Sequence, residues 1–106
     1  MSKIKIFISQ PMNGLSADQI KAERERVCLW LNQKYPDGYE IVDSYIEPSS
    51  VKLETNSSLW YLAKSIEMLA DADVAVFVKG WHNARGCKLE FDCCVQYDIP
   101  VVFDLM

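Results

Sequence analysis

The spacing of apolar residues changes character several times along the chain. In KIKIFIS, residues 3–9, Ile4, Ile6 and Ile8 alternate with Lys3, Lys5 and Phe7, the period of two that sends successive side chains to opposite faces of a strand. The run stops at QPMNG, where proline, asparagine and glycine favour a turn. Ser16, with Gln19 three positions later, is a capping-box signature; Ala17, Ile20, Val27, Cys28 and Leu31 then fall near one helical face up to the break at YPDG. YEIVD, residues 39–43, predicts a short second strand, and the polar SYIEPSSVKLETNSS after it, with its proline, predicts a loop. A second helix is expected from Ser57 or Ser58, burying Leu59, Leu62, Ala63, Ile66 and Leu69. DVAVFV, residues 73–78, is apolar without alternation and rich in β-branched residues, as expected of a central parallel strand covered on both faces. A third helix over Arg85 to Tyr97 and a last strand at PVVFDL complete the pattern.

Strands alternating with helices predict a three-layer α/β domain spanning residues 1–106, with right-handed crossovers and a four-stranded parallel sheet of flavodoxin-like order 2-1-3-4. Ligands of such sheets bind beyond the carboxyl ends of the strands, where the winding direction switches. Here that point lies between strands one and three, so SQPMNG and KGWHNARG should flank one crevice.

Composition narrows the ligand classes. Of 106 residues half are apolar and a quarter charged, with a formal charge of −4 and a sequence pI near 4.9. An acidic chain without clustered Lys and Arg is a poor partner for a nucleic-acid polymer, which leaves small molecules. No apolar run approaches the roughly 18 residues that span a bilayer, and MSKIKIFIS lacks a signal-peptide pattern, so no membrane partner and a cytoplasmic location are expected. Cys28, Cys87, Cys93 and Cys94 have no paired CxxC spacing and only His82 to join them, so neither metal nor cofactor is expected. Cys93 and Cys94 read as small buried apolar groups; Cys87, near a helix start, reads as packing or as a thiol of lowered pKa. Trp30, Trp60 and Trp81 supply aromatic surface suited to a homo-oligomer, at least a dimer.

The loop chemistry is polar but not that of a known phosphate motif: SQPMNG is neither a Walker loop nor GxGxxG. Pro11 and Gly14 fit ordinary turn chemistry, whereas Ser9, Gln10 and Asn13, just before a helix start, can bind an anion or a hydroxylated ligand beside free helix amides. In the second loop Asn83 can cap helix three, Gly86 admits a close backbone approach, and Glu90 can point back toward the strand ends. The helix dipole would then favour its charged form, making a nucleophile or base; the alternative is a solvated acid common in a first helical turn. Arg85 can pair with a phosphate or with a carboxylate such as Glu90. Trp81, Tyr45, Trp60 and Tyr61 can wall a pocket or pack a core, and His82 reads as a solvated loop histidine.

The segments IFISQPMNG, LADADVAVFVKGWHNARGCKLEFD and IPVV resemble, in order and over nearly the whole chain, a family of small bacterial and phage proteins of unassigned function related to the nucleoside 2-deoxyribosyltransferases. The resemblance implies a transferase-like fold, and a substrate site built from Ser9, Gln10, Pro11, Met12, Asn13, Gly14, Gly80, Trp81, Asn83, Arg85 and Gly86. It further implies that Glu90 stands where a glutamate attacks the anomeric carbon of a nucleoside, displaces the base and holds the sugar, with Asp73 retained at the start of strand three. Two departures are visible. Gln10 replaces a common glycine, which narrows the space near a ligand, and Ser65 stands where the transferases carry an aspartate that assists the departing base. Serine cannot act as an equivalent acid, so Asp71, Asp73 or a carboxylate of a neighbouring subunit are the substitutes. The expected function is hydrolysis or transfer at an N-glycosidic bond of a nucleoside or nucleoside 5′-monophosphate; the alternative is a non-catalytic nucleotide-binding or sensing module of the same fold.

Overall fold

A computed structural model describes residues 3–11, 14–42 and 57–104. The elements are β1 (Ile4–Ser9), α1 (Ala17–Lys34), β2 (Tyr39–Val42), α2 (Ser57–Leu69), β3 (Val74–Val78), α3 (Arg85–Gln96) and β4 (Val101–Asp104), with a short 3₁₀ turn at Trp81–Asn83. The four strands form one parallel sheet in the order β2-β1-β3-β4, as the alternation predicted. Ser9 lies opposite Phe77 and Val78 opposite Asp104, so β1, β3 and β4 finish at one edge.

Both faces of the sheet are covered. Ile6, Ile8, Val74, Val76 and Val78 meet Val27 and Leu31 of α1, while Phe7, Ala75 and Phe77 meet Leu69 of α2 and Cys94 of α3. Each large apolar side chain removed from water in these two layers contributes roughly 2 kcal/mol. Central position explains why Phe7 is as fully buried as the isoleucines flanking it, while Lys3 and Lys5 stay exposed at the amino end of β1.

The capping box forms as expected. Ser16 Oγ accepts from the Gln19 amide at 3.1 Å, and Gln19 Oε1 accepts from the Ser16 amide at 2.8 Å. Ile20, Val27 and Leu31 are buried, Cys28 is half-buried, and Ala17 is exposed because the first turn overhangs the sheet edge.

Helix α2 departs from the expected burial. Leu69 is buried, but Leu62 is only half-buried and Leu59, Ala63 and Ile66 are exposed. The helix packs on α3 and meets the sheet-facing core through its last turn, so the upper part of its apolar face lacks a sheet to cover it. A second correction concerns α3: its N-cap position is Ala84 with no side-chain cap, because Asn83 is taken up in the 3₁₀ turn. Among the described residues no helix is long and apolar enough to cross a membrane.

Candidate functional site at the carboxyl edge of the sheet

The buried polar and charged side chains among the described residues are Ser9, Gln10, Glu90 and Asp104. All four stand at or above the carboxyl edge of the sheet. Ser9 closes β1, Gln10 follows it, Asp104 closes β4, and Glu90 lies in the second turn of α3.

The period of two puts Ser9 on the same face as Phe7, beneath α3. Cys87, Glu90 and Cys94 are the buried residues of α3, and their spacing of three and then four brings them onto one stripe facing the sheet. Glu90 therefore occupies a position where helical periodicity calls for an apolar side chain. Its Oε1 accepts a hydrogen bond from Ser9 Oγ at 2.7 Å, wholly within the protein. Ser65 of α2 lies near enough to favour the charged form of the same carboxyl, so β1, α2 and α3 meet there.

Burial pushes the Glu90 carboxyl up from its ordinary 4.5 to about 7, against the pull of the Ser9 and Ser65 hydroxyls, which favour the charged form. The expectation that the helix dipole sets its ionisation is thereby corrected: desolvation dominates, and the group titrates near neutrality. Cys87 and Cys94 are each pushed up to about 11, again chiefly by burial. Of the two readings open for Cys87, packing holds and thiolate activation does not.

The next residue turns the other way. Gln10 donates from Nε2 to the Ile20 carbonyl at 2.8 Å and accepts at Oε1 from Arg24 Nε at 3.4 Å. Its amide ties the loop after β1 to α1. Beside it opens a cavity of about 640 Å³, lined by Gln10, Leu15, Glu23, Arg26, Val78 and Gly80 among others. The cavity lies on the α1 side of the edge, and Glu90 is not among its walls. The two loops do adjoin as the sequence predicted: Gly80 is left-handed, at φ +91, and a Cβ there would stand 3.7 Å from Pro11 Cγ.

Other expected members lie elsewhere. Asp73 sits at the amino end of β3, where its carboxylate accepts from the Lys5 amide at 2.8 Å. It precedes Phe77, the partner of Ser9, by four positions, roughly 13 Å along a strand, and its carboxylate joins β1 to β3 at the edge away from Glu90. Asp71 occupies the turn before it, also at the far end. Trp81 does not present a free stacking face. Its ring packs 4.8 Å from Phe91, 5.4 Å from Phe77 and 5.6 Å from Phe103, centroid to centroid. Trp60 and Tyr61 meet edge-on at 5.4 Å. His82, Asn83 and Arg85 are exposed at the start of the α3 segment, and Gly14 is exposed in the first loop. A Cβ on Gly86 would meet nothing within 4 Å, so the backbone above it is open to solvent. Met12, Asn13 and Tyr45 lie outside the described residues.

Sequence reasoning passed over the pair of Arg26 and Asp104, whose side chains approach to 3.2 Å. A signal was available: Asp104 shares the parity of Val102 in an otherwise apolar strand, so its carboxylate had to face inward.

A family model described as a domain of unknown function (DUF4406) matches residues 4–103, from the first residue of β1 into β4. The chain belongs to the DUF4406 family. No curated protein and no solved structure matches it. The DUF4406 match covers Ser9, Ser65 and Glu90 alike, and it agrees with the expectation of a family of unassigned function. The further kinship with nucleoside 2-deoxyribosyltransferases rests on the sequence motifs alone.

Proposed function

We propose that this DUF4406 protein cleaves, or transfers at, the N-glycosidic bond of a nucleoside or nucleoside 5′-monophosphate, with Glu90 as nucleophile. The observation that carries the reading is a buried carboxyl, bonded by Ser9 and stabilised as an anion by Ser65, at the carboxyl edge near the switch between β1 and β3. A carboxyl titrating near 7 is available as an anion at neutral pH and is poorly hydrated, both of which favour attack on an electron-poor anomeric carbon. In the proposed step a Glu90 oxygen bonds the anomeric carbon as the bond to the base nitrogen breaks. The base leaves with that electron pair and takes up a proton. Water or a second base then displaces the carboxylate, as in retaining glycosidases. Neither metal nor cofactor has a part in this scheme.

The same reading includes a homo-oligomer, supported by the exposed Leu59 and Ile66 on α2. A second reading, a non-catalytic nucleotide-binding or sensing module, is favoured by Ser65, which cannot protonate a leaving base as an aspartic acid can. The deciding experiment incubates the protein with a panel of nucleosides and 5′-monophosphates, with and without a free acceptor base, followed by chromatography. Released or exchanged base, lost in Glu90→Gln, supports the enzyme. Nucleotide binding without base release supports the module.

A further inference from the structure

The Glu90 side chain has three rotatable bonds before its carboxyl and, among the described residues, no ion-pair partner, yet it is 6% exposed. Something must hold it. The hydroxyls near it come from two other elements: Ser9 ends β1, a strand hydrogen-bonded to neighbours on both sides, and gives its single hydroxyl proton to Glu90, and Ser65 lies in the middle of α2 and favours the charged form of the same carboxyl.

We infer that Ser9 and Ser65 are positioning residues that clamp the Glu90 carboxylate from β1 and α2. The clamp goes beyond the proposed function: it supplies a reason for a serine at position 65 other than a lost acid. A hydroxyl cannot protonate a departing base, but it can donate to an anion and hold it in place. Among the described residues the groups that bear on Glu90 are Ser9 from β1, Ser65 from α2, and the thiols of Cys87 and Cys94 on its own helix. Of these only the two hydroxyls favour the anion.

The test requires no substrate. In the full chain labelled with ¹³C-glutamate at the side-chain carboxyl, the Glu90 resonance is assigned by its loss in Glu90→Gln and followed through a pH titration. Removing one hydrogen bond to a charged acceptor should raise the midpoint by about one pH unit in Ser9→Ala, and likewise in Ser65→Ala. Ser9→Thr, which keeps the hydroxyl, should restore the wild-type midpoint. A merely space-filling role would change melting temperature without moving the midpoint. If Ser9→Ala fails to fold, Ser65→Ala alone decides. Midpoints unchanged in folded variants overturn the clamp, whatever the turnover. A midpoint that depends on the hydroxyls in a protein that releases no base leaves the clamp standing and removes the nucleophile reading.

Discussion

The Arg26 guanidinium on α1 lies 3.2 Å from the Asp104 carboxylate at the carboxyl end of β4, across the α1 face of the sheet. The Asp104 side chain is wholly buried, whereas Arg26 is about one-third exposed and also bonds Glu23. Attraction to the Glu23 carboxylate comes first among the influences holding the Arg26 pKa above its ordinary value, with Asp104 adding to it. The Asp104 carboxylate is buried, so taking away a cation beside it costs more than losing an exposed pair. Arg26→Met should therefore destabilise by roughly 2–3 kcal/mol, and adding Asp104→Asn should recover much of that loss. Urea unfolding of the two single variants and the double variant checks it; strictly additive effects would show the pair to be uncoupled.

Glu90 makes a pH-dependent contribution of definite sign. Its folded pKa, about 7, lies above the ordinary 4.5. The stability this confers is fully present below about 4.5 and is lost as pH rises through 7, because the unfolded state releases the proton more readily. A difference of this size corresponds to about 3 kcal/mol as an upper figure. Relative to Glu90→Gln, which carries no proton to lose, the wild type should become progressively less stable between pH 4.5 and pH 8. A constant difference in unfolding free energy over that range would contradict the burial of this carboxyl.

The capping box offers a simpler check on the helix starting beside the first loop. Ser16→Ala leaves the Gln19 amide without its acceptor and should cost about 1 kcal/mol, a fall in melting temperature of roughly 4–8 °C for a domain of this size. Ser16→Asp should restore most of it. Calorimetry of the two variants separates a cap from an idle surface serine.

Trp81 belongs to an aromatic layer with Phe77, Phe91 and Phe103. Trp81→Ala should destabilise by about 3 kcal/mol through the cavity it leaves, while Trp81→Phe should cost less than about 1.5 kcal/mol. Equal melting temperatures for Trp81→Ala and wild type would return the ring to the role of an exposed stacking surface.

Asp73 should prove silent in chemistry. Asp73→Ala removes one acceptor for the exposed Lys5 amide and should cost about 1 kcal/mol or less, with the titration of Glu90 unmoved. A changed Glu90 midpoint in this variant would mean that the two ends of β3 are coupled.

Much of the fold was legible because its signals are local. The capping box at Ser16, the break at YPDG and the unalternating DVAVFV each report on a few neighbouring residues, and a parallel sheet of order 2-1-3-4 follows from their sequence along the chain. The convergence of the two loops was legible for the same reason. What escaped depended on distance or orientation. The periodicity of α2 marks its apolar side, but only the packing of α2 on α3 tells how little of that side the sheet covers. Asp73 took a chemical role only from the family resemblance, and its bond to the Lys5 amide has no local signature in the sequence. Glu90 could be singled out from its setting, but not its Ser9 contact, since position 9 and position 90 carry no mutual spacing rule.

That separation has a consequence for how the protein is made. Ser9 and Glu90 stand 81 positions apart, and β1 acquires its β3 neighbour only through residues some 68 positions downstream. On the ribosome, β1 can pair early with β2, but its other edge stays open until β3 has emerged, and the carboxyl of Glu90 finds its hydroxyls later still. Closing such long loops is entropically expensive, so the polar cluster assembles at the end of folding, after the apolar layers have committed. Translation slowed between β2 and β3 would prolong the time a half-built sheet displays a bare strand edge to other chains.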